Sequence, residues 1–194
     1  MQLAALLEMT KAPVTEIIDT YKKVLLLEPG RAEIYHNMGR VLQEAGNDKE
    51  EAKAMYELAL DYEPRHVNSL NSLALILQYT GEFVEAHQHL QRAVRLAPDE
   101  HALHCNFASL LQSVRKEYDA AEFHYNAALS LKPDHLQTLC CYGSFLRAVR
   151  HDYSEAMRLL TQALEIAPDM SEVQRSVAAV KRDALEDNSF ARPN

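Results

Sequence analysis

Five of the seven prolines in this chain recur at almost constant spacing. They are separated by steps of 35, 34, 35 and 35 residues, at Pro29, Pro64, Pro98, Pro133 and Pro168. A fixed period near 34 residues is typical of a chain built from one repeated supersecondary unit. Because proline lacks a backbone N–H and cannot continue a helix, we expect each of these prolines to close one unit.

Two sets of residues repeat in phase with these prolines. The pattern Ala-x-x-x-(Tyr or Leu)-x-x-Ala precedes four of them and begins at Ala52, Ala86, Ala121 and Ala156. Upstream, large residues at i, i+3 and i+7 surround a Gly or Ala at i+4, first at Tyr35, Met38, Gly39 and Leu42. Each spacing places one stripe on a helix, with a small residue at the closest contact. The sequence therefore predicts two antiparallel helices in each repeat.

The repeats differ in length by one residue. The distance from the small residue of the first helix to the first alanine of the second is 13, 12, 13 and 13 residues. We expect the extra residue in the turn between the helices, where an insertion costs little. Gly46 and Gly81 mark this turn in the first two repeats, and Arg115 and Arg150 stand there in the last two.

The pattern resembles that of the tetratricopeptide repeat (TPR) family, W-x2-L-G-x2-Y…A-x3-F…P. Four full repeats match it, at residues 32–64, 67–98, 101–133 and 136–168. The opening aromatic position departs from the pattern, because it holds Leu70, His104 and Leu139 in place of tryptophan. The resemblance implies an all-α fold, a right-handed α-solenoid of stacked antiparallel helix pairs (a TPR superhelix) with a C-terminal capping helix.

The resemblance extends into the flanking segments, so we expect one TPR domain over residues 1–187. Residues 1–29 are predicted to form a partial, divergent repeat, with a first helix at residues 1–11. Residues 171–187 carry a narrow valine stripe opposite charged side chains, which is typical of a helix that shields the last repeat from water. Residues 188–194 hold little apolar surface, and we expect this tail to fray.

Composition excludes several classes of function. The formal charge is −8, from 20 Lys+Arg and 28 Asp+Glu, which argues against a nucleic-acid partner. The longest apolar runs, such as Leu73 to Leu77, are five residues long, too short for membrane insertion. Three cysteines, two of them the neighbours Cys140 and Cys141, do not suit a disulfide framework. We therefore expect a reducing, soluble compartment, the cytoplasm, with the nucleus as an alternative.

Candidate catalytic and metal sites are poorly supported by their spacing. His101 and His104 share a helix face and adjoin Cys105, but no third ligand follows at a fixed spacing. The five glycines form no phosphate-binding loop, and the polar positions vary freely between repeats. We expect no cofactor, no metal and no enzymatic activity.

The resemblance also implies a binding surface. In TPR proteins the concave face is formed mainly by the first helix of each pair, and most members bind peptides or other proteins. The residues expected there are Asn37, Arg40, Asn71, Gln78, Asn106, Ser109 and Arg147. Side-chain amides both donate and accept hydrogen bonds, so the three asparagines can hold the backbone of an extended peptide. They resemble, in part, the asparagine ladder of O-linked GlcNAc transferase, and the two arginines are expected to select acidic side chains.

Two alternatives stay open. Beside the groove-binding scaffold or adaptor, the chain could be a targeting domain of a larger enzyme, or, second, a structural segment of a larger or self-associating assembly. Charge is relevant to the second: residues 44–63 contain seven acidic and two basic side chains, a net charge of −5. A basic edge is expected near the later turns, from Arg115, Lys116, Arg147, Arg150 and His151. Such opposite charges complement each other in an assembly that contacts partners through its edges and end repeats.

Overall fold

The computed structural model describes residues 12–45 and 49–190, the last three by their backbone alone. These residues form ten α-helices and no strand. The helices are α1 (Val14–Leu27), α2 (Ala32–Glu44), α3 (Lys49–Tyr62), α4 (Val67–Thr80), α5 (Phe83–Leu96), α6 (His101–Leu110), α7 (Tyr118–Leu131), α8 (Leu136–Phe145), α9 (Tyr153–Ile166) and α10 (Ser171–Phe190). Within these described residues, no helix is both long and apolar enough to cross a membrane.

The predicted helix pairs are confirmed. The first helices begin at residues 32, 67, 101 and 136, where the sequence repeats begin. Each second helix ends two residues before its proline, and in the four full repeats the carbonyl of a repeated alanine accepts the capping N–H. Ala97 thus donates to Ala93 at 3.0 Å and Lys132 donates to Ala128 at 2.9 Å.

The core of each pair is built from the repeated positions. The repeated alanines that open the pattern on the second helices, Ala52, Ala86, Ala121 and Ala156, are fully buried at 0% exposure. Small side chains there let the facing first helix approach closely, so that the larger residue between the alanines fills the interface.

The chain divides into two compact units between Ala97 and Pro98. In the first unit α1 packs on α2, α3 packs between α2 and α4, and α5 packs on α4. In the second unit α7 packs between α6 and α8, and α9 packs between α8 and α10. The first helices also lie side by side, α2 with α4 in one unit and α6, α8 and α10 in the other. The predicted α-solenoid fold is therefore confirmed, and the single domain over residues 1–187 stays a prediction.

The extra residue of the third and fourth repeats lies inside the first helix and not in the connecting loop. The last turns of these helices, Leu111–Arg115 and Leu146–Arg150, are π-helical. In the second repeat Glu82 donates to the Leu77 carbonyl, five residues back, whereas Glu117 donates to Leu111, six residues back. A π-helical turn holds one more residue between the same hydrogen-bonded ends, so the following helix keeps its position. The corresponding turn of the first repeat, with Gly46, lies outside the described residues.

The two ends agree in part with the expectations. α1 is a second helix as predicted, with Ile17 and Tyr21 buried, while the helix predicted at residues 1–11 lies outside the described residues. α10 packs Val173 and Val180 into the core, at 0% and 1% exposure. It continues to Phe190, three residues beyond the predicted end, so the predicted tail is helical at 188–190. Residues 191–194 lie outside the described part of the chain.

Candidate functional site

In the first unit, a tyrosine of a second helix reaches the surface formed by the first helices. Tyr56 on α3 is buried, and its hydroxyl donates to Gln43 Oε1 on α2 at 3.0 Å. The same hydroxyl interacts with the Ser72 side chain on α4. Burial raises the pKa of Tyr56, so the phenol stays protonated and acts as a donor. The hydroxyl therefore lies between α2 and α4, beneath the surface they share.

The second unit repeats this arrangement. The Tyr125 hydroxyl on α7 donates to Gln112 Oε1 at 2.9 Å and interacts with Ser109 on α6. Burial is the first cause of a raised pKa for Tyr125, and the thiols of Cys141 and Cys105 add to it. Because the Gln112 carbonyl oxygen is occupied, the amide N–H groups are left to serve another acceptor.

A pocket opens beside Tyr125 in the second unit. Its volume is about 200 Å³, and helices α6, α8 and α10 all contribute to its walls. Its lining residues carry hydroxyl, amide and thiol groups and one charged side chain, Glu172: they are Ser109, Gln112, Ser113, Tyr125, Cys140, Cys141, Ser144, Glu172 and Ser176. Hydroxyl, amide and thiol groups that converge on one opening can pair with the backbone of an extended peptide.

The predicted binding residues of the first unit lie on its adjacent first helices. Asn37, Arg40, Asn71 and Gln78 are all half-buried, two on α2 and two on α4. The Asn37 amide donates to Glu33 Oε1 at 3.4 Å, a long contact that leaves it available to a ligand. Arg40 forms an ion pair with Glu44 one turn on, at 2.8 Å.

The remaining predicted residues belong to the second unit. Asn106 and Ser109 are half-buried on α6, and Ser109 lines the pocket. Arg147, in the π-helical turn after α8, is ion-paired with Asp183 of α10. An acidic ligand at Arg147 must therefore compete with Asp183. The ladder of three asparagines spans both units and stays a prediction.

The predicted basic edge is largely neutralised by local ion pairs. Arg115 pairs with Glu117 at 2.5 Å. Arg150 pairs with Asp119 and, at 2.6 Å, with Glu122. These exposed pairs leave little net positive field at the later turns.

The acidic stretch of the first unit keeps its charge and borders a second pocket. This pocket, of about 390 Å³, lies among α3, α4 and α5, away from the Tyr56–Gln43 bond. Its charged lining residues are Lys53, Glu57, Asp61, Glu82 and Glu85. Lys53 bridges both carboxylate oxygens of Glu82 at 2.8 Å, while Lys49 of the same stretch stacks over the Tyr79 ring.

The histidines serve structural hydrogen bonds. His66 accepts the Ser69 N–H at Nδ1, 3.3 Å away, so its Nε2 carries the proton and donates to Glu33 at 3.0 Å. The Nδ1 atoms of His104 and His124 form a hydrogen bond of 2.9 Å, and His104 Nε2 bonds to the Pro98 carbonyl oxygen at 3.0 Å. Nowhere in the described residues do three or more His, Cys, Asp or Glu side chains form a group suited to a metal ion.

Sequence reasoning missed Glu172. It places Gln43 and Gln112 among the candidate concave-face positions but does not predict their bonds to Tyr56 and Tyr125. The signal for the two glutamines is their separation of 13 residues from a tyrosine, in Gln43–Tyr56 and Gln112–Tyr125. The second and fourth repeats have leucine at the tyrosine position and cannot form this bond. No local sequence pattern predicts that Glu172 lines the pocket, because its position depends on how α10 packs against the other helices.

Comparisons with known proteins agree with this architecture. Family models for the tetratricopeptide repeat match residues 32–66 and 67–97, and a model described as TmcB, TPR repeats, matches residues 97–173. Among curated proteins, none matches this sequence.

Solved structures share the fold at low identity. YrrB, described as a TPR protein with an unusual peptide-binding site, has a TM-score of 0.68 and 24% identity, over 90% of this chain and 88% of YrrB. PilF of Pseudomonas aeruginosa has a TM-score of 0.76 and 21% identity, over 91% of this chain and 78% of PilF. MamA has a TM-score of 0.70 and 20% identity, over 85% of this chain and 94% of MamA. With the family models covering residues 32–173, the helix pairs place the chain in one family: it belongs to the tetratricopeptide repeats.

Proposed function

We propose that this protein binds an extended segment of a partner protein along its first helices. Membership of the TPR family supports a protein-interaction scaffold, a role that is typically non-catalytic. The observation that carries the finer proposal is the pocket of the second unit, where three first helices bring hydroxyl, amide and thiol groups together beside Tyr125.

Hydrogen bonding in this proposal is independent of the ligand's sequence. Gln112 and Ser144 offer hydrogen-bond donors to the carbonyl groups of an extended peptide. Ser109 can do the same when its hydroxyl is not bonded to Tyr125. Asn37, Asn71 and Asn106 add amide clamps on the first helices. Because these groups bind the backbone, they supply affinity for many sequences and little discrimination.

Discrimination comes from charge. Glu172 is exposed at the pocket, and no ion pair holds it within the described residues. Arg40 and Arg147 already have carboxylate partners, Glu44 and Asp183. The second unit therefore favours a lysine or arginine of the ligand in its pocket, and acidic ligand residues gain only by displacing those partners.

A random peptide library selected against the purified chain tests both parts. We expect enriched peptides to carry a lysine or arginine at one fixed position. Glu172→Gln should weaken these peptides about fivefold, the value of one partly screened charge pair. The triple change of Asn37, Asn71 and Asn106 to alanine should weaken all selected peptides alike, whatever their sequence.

The matched controls lie on second helices. Glu165→Gln removes an exposed charge on α9, and Gln88→Ala removes an exposed amide on α5. Both variants should bind every selected peptide as the wild type does. Binding that survives both test changes, or that falls equally in the controls, would refute the groove as the binding surface.

The alternative is assembly through the acidic edge of the first unit, which its 390 Å³ pocket favours. Four carboxylates line this pocket: Glu57, Asp61, Glu82 and Glu85. The one lysine in the lining, Lys53, is already bonded to Glu82. Light scattering over a range of protein and salt concentrations separates the two proposals. A mass that grows with protein concentration and shrinks with salt supports assembly, and a constant monomer mass supports groove binding.

A further inference from the structure

The three cysteines of the chain lie on two neighbouring helices of the second unit, and two of them line its pocket. Cys105 on α6 is buried, at 1% exposure, whereas Cys140 and Cys141 on α8 are half-exposed and line the pocket. The thiols of Cys105 and Cys141 lie within hydrogen-bond contact of each other, across two different helices. The Thr138 hydroxyl also contacts the Cys105 thiol.

We propose that Cys105 and Cys141 form an oxidisable thiol pair, a modification site for hydrogen peroxide at the base of the pocket. Cys141 is the sulfur that peroxide reaches, because it faces the opening. Cys105 is the resolving sulfur, because it touches Cys141 and is closed to solvent.

Cys140 does not serve as the partner of Cys141. Adjacent residues on one helix point about 100° apart, and a disulfide between sequence neighbours is strained. Cys105 instead approaches from the neighbouring helix with its thiol already against Cys141.

The reaction balances with peroxide as the oxidant. The pKa of Cys141 is raised, first by its hydrogen bond to Cys105 and then by burial, so its proton first passes to the Cys105 thiolate through that bond. The Cys141 thiolate then attacks one peroxide oxygen, the O–O bond breaks, and a sulfenic acid and hydroxide form. The hydroxide takes the proton from Cys105 and restores its thiolate. The Cys105 thiolate then attacks the Cys141 sulfur and expels the second hydroxide as the S–S bond forms. Two thiols and one peroxide give one disulfide and two waters.

The surroundings favour the second step. A hydrogen bond from the Cys141 thiol, joined by the Thr138 hydroxyl, lowers the pKa of Cys105 to about 7 although burial opposes this. Since the two thiols share a hydrogen bond, a proton passes between them without crossing solvent. The disulfide ties α6 to α8, so oxidation fixes the spacing of two helices that line the pocket.

The test uses the full chain, reduced and then treated with a small molar excess of hydrogen peroxide. We expect free thiols to fall from three to one, and non-reducing peptide mapping by mass spectrometry to find Cys105 linked to Cys141. Cys140→Ser is the matched control and should form the same link at the wild-type rate. Cys105→Ser should stop at a sulfenic acid on Cys141, which a 1,3-dione reagent traps.

Circular dichroism establishes that each variant folds, and Cys105→Ala replaces Cys105→Ser if the buried serine unfolds the unit. A Cys140–Cys141 link, oxidation without any link, or thiols that do not react each overturn the proposal. No partner or peptide enters this experiment, so its result does not depend on the proposed groove binding.

Discussion

Tyr56 in the first unit and Tyr125 in the second occupy the same repeat position and donate to the same kind of glutamine, yet their rings pack differently. Tyr56 faces α2, where its Cε1 would lie 2.8 Å from a Cβ added to Gly39, and its centroid is 5.4 Å from that of His36. Tyr125 stacks on Tyr142 of α8, with centroids 5.3 Å apart and planes at 15°.

The difference follows from the residue that each ring meets on the next first helix. Tyr142 offers the second unit an aromatic face to stack on, whereas the equivalent residue in the first unit is Leu73. Because the Tyr125 ring packs against α8, there is space for the Cβ of Ala108 on α6. The Tyr56 ring packs against α2 instead, so the equivalent position there is Gly39, which has no Cβ. The same slot therefore tolerates different small residues according to a side chain one repeat away.

The largest expected effect is on stability in acid. Burial lowers the pKa of His36 in the first unit and of His124 in the second to about 4. His66 and Arg40 lower the pKa of His36 further while Glu33 raises it, and His104 lowers that of His124. Between pH 6.5 and 4 the unfolded chain binds more protons at these sites, so stability is complete above about pH 6.5 and falls as the pH drops.

We expect a loss of about 2 kcal/mol at pH 5 relative to pH 7, with solvent screening of these partly exposed rings allowed for. Urea unfolding at the two pH values measures it. His36→Gln and His124→Gln should each remove about half of the loss, which would show that both units contribute. Acid sensitivity that persists unchanged in both variants would assign it to other groups.

Gly39→Ala tests the packing difference directly. The added Cβ would meet the Tyr56 ring at 2.8 Å, and overpacking of this kind costs about 1–3 kcal/mol. The gain of about 1 kcal/mol in helix propensity offsets part of it, so we expect a net loss of up to about 2 kcal/mol by thermal or urea unfolding.

The second repeat supplies the matched rescue. It pairs Ala74 with Leu90, both fully buried, where the first repeat pairs Gly39 with Tyr56. In a Tyr56→Leu background, Gly39→Ala should therefore cost less than in the wild type, by about 1 kcal/mol or more. Equal costs in the two backgrounds would mean that the ring does not explain the glycine.

Much of this fold follows from the sequence because helix packing repeats in phase. Pro98 and Ala93 mark one helix end in the sequence and in the structure alike. The sequence predicts the extra residue in the connecting turn and not in a π-helical turn, because a spacing of 13 residues counts the insertion without showing which hydrogen bonds shift to absorb it. Lys116 and His151 give no local signal for a left-handed backbone, which glycine normally provides.

The binding surface was less accessible to sequence reasoning. The sequence predicts Ser109 at the surface, and it does line the pocket, but the position of Glu172 depends on how α10 packs against α8. Cys105 aligns with Cys140 in the repeat, 35 residues on, yet its thiol contacts Cys141. A repeat alignment pairs equivalent positions, whereas contacts between neighbouring helices join positions that are offset.

Removing the tyrosine hydroxyl should destabilise the second unit more than the first, with a smaller difference than the effects described above. Tyr125→Phe leaves Gln112, which is half-buried, without its donor, and a loss of about 1 kcal/mol is expected. Tyr56→Phe leaves Gln43, which is exposed and can bond to water, so its cost should be about half as large. Urea unfolding of the two variants side by side checks the order, and a larger cost for Tyr56→Phe would contradict it.

The smallest effects concern the turns between helices. Gly81 in the first unit has φ 89° and Lys116 at the equivalent place in the second has φ 52°, so only the first uses the residue that favours a left-handed backbone. Gly81→Ala should cost about 1 kcal/mol from backbone strain alone, since nothing lies within 4 Å of the added Cβ. Lys116→Gly should stabilise by about 0.5 kcal/mol, because relief of strain exceeds the entropy that glycine adds to the unfolded chain.

Thermal unfolding of these two variants compares the turns under one protocol. Lys132→Gly provides the control, since Lys132 caps α7 with an ordinary extended backbone, φ −143°, and has no left-handed strain to relieve. It should lose stability where Lys116→Gly gains it, because glycine then only adds freedom to the unfolded chain. If Lys116→Gly is destabilising too, the π-helical turn holds Lys116 without strain, and the one-residue insertion is accommodated at no cost relative to the turn at Gly81.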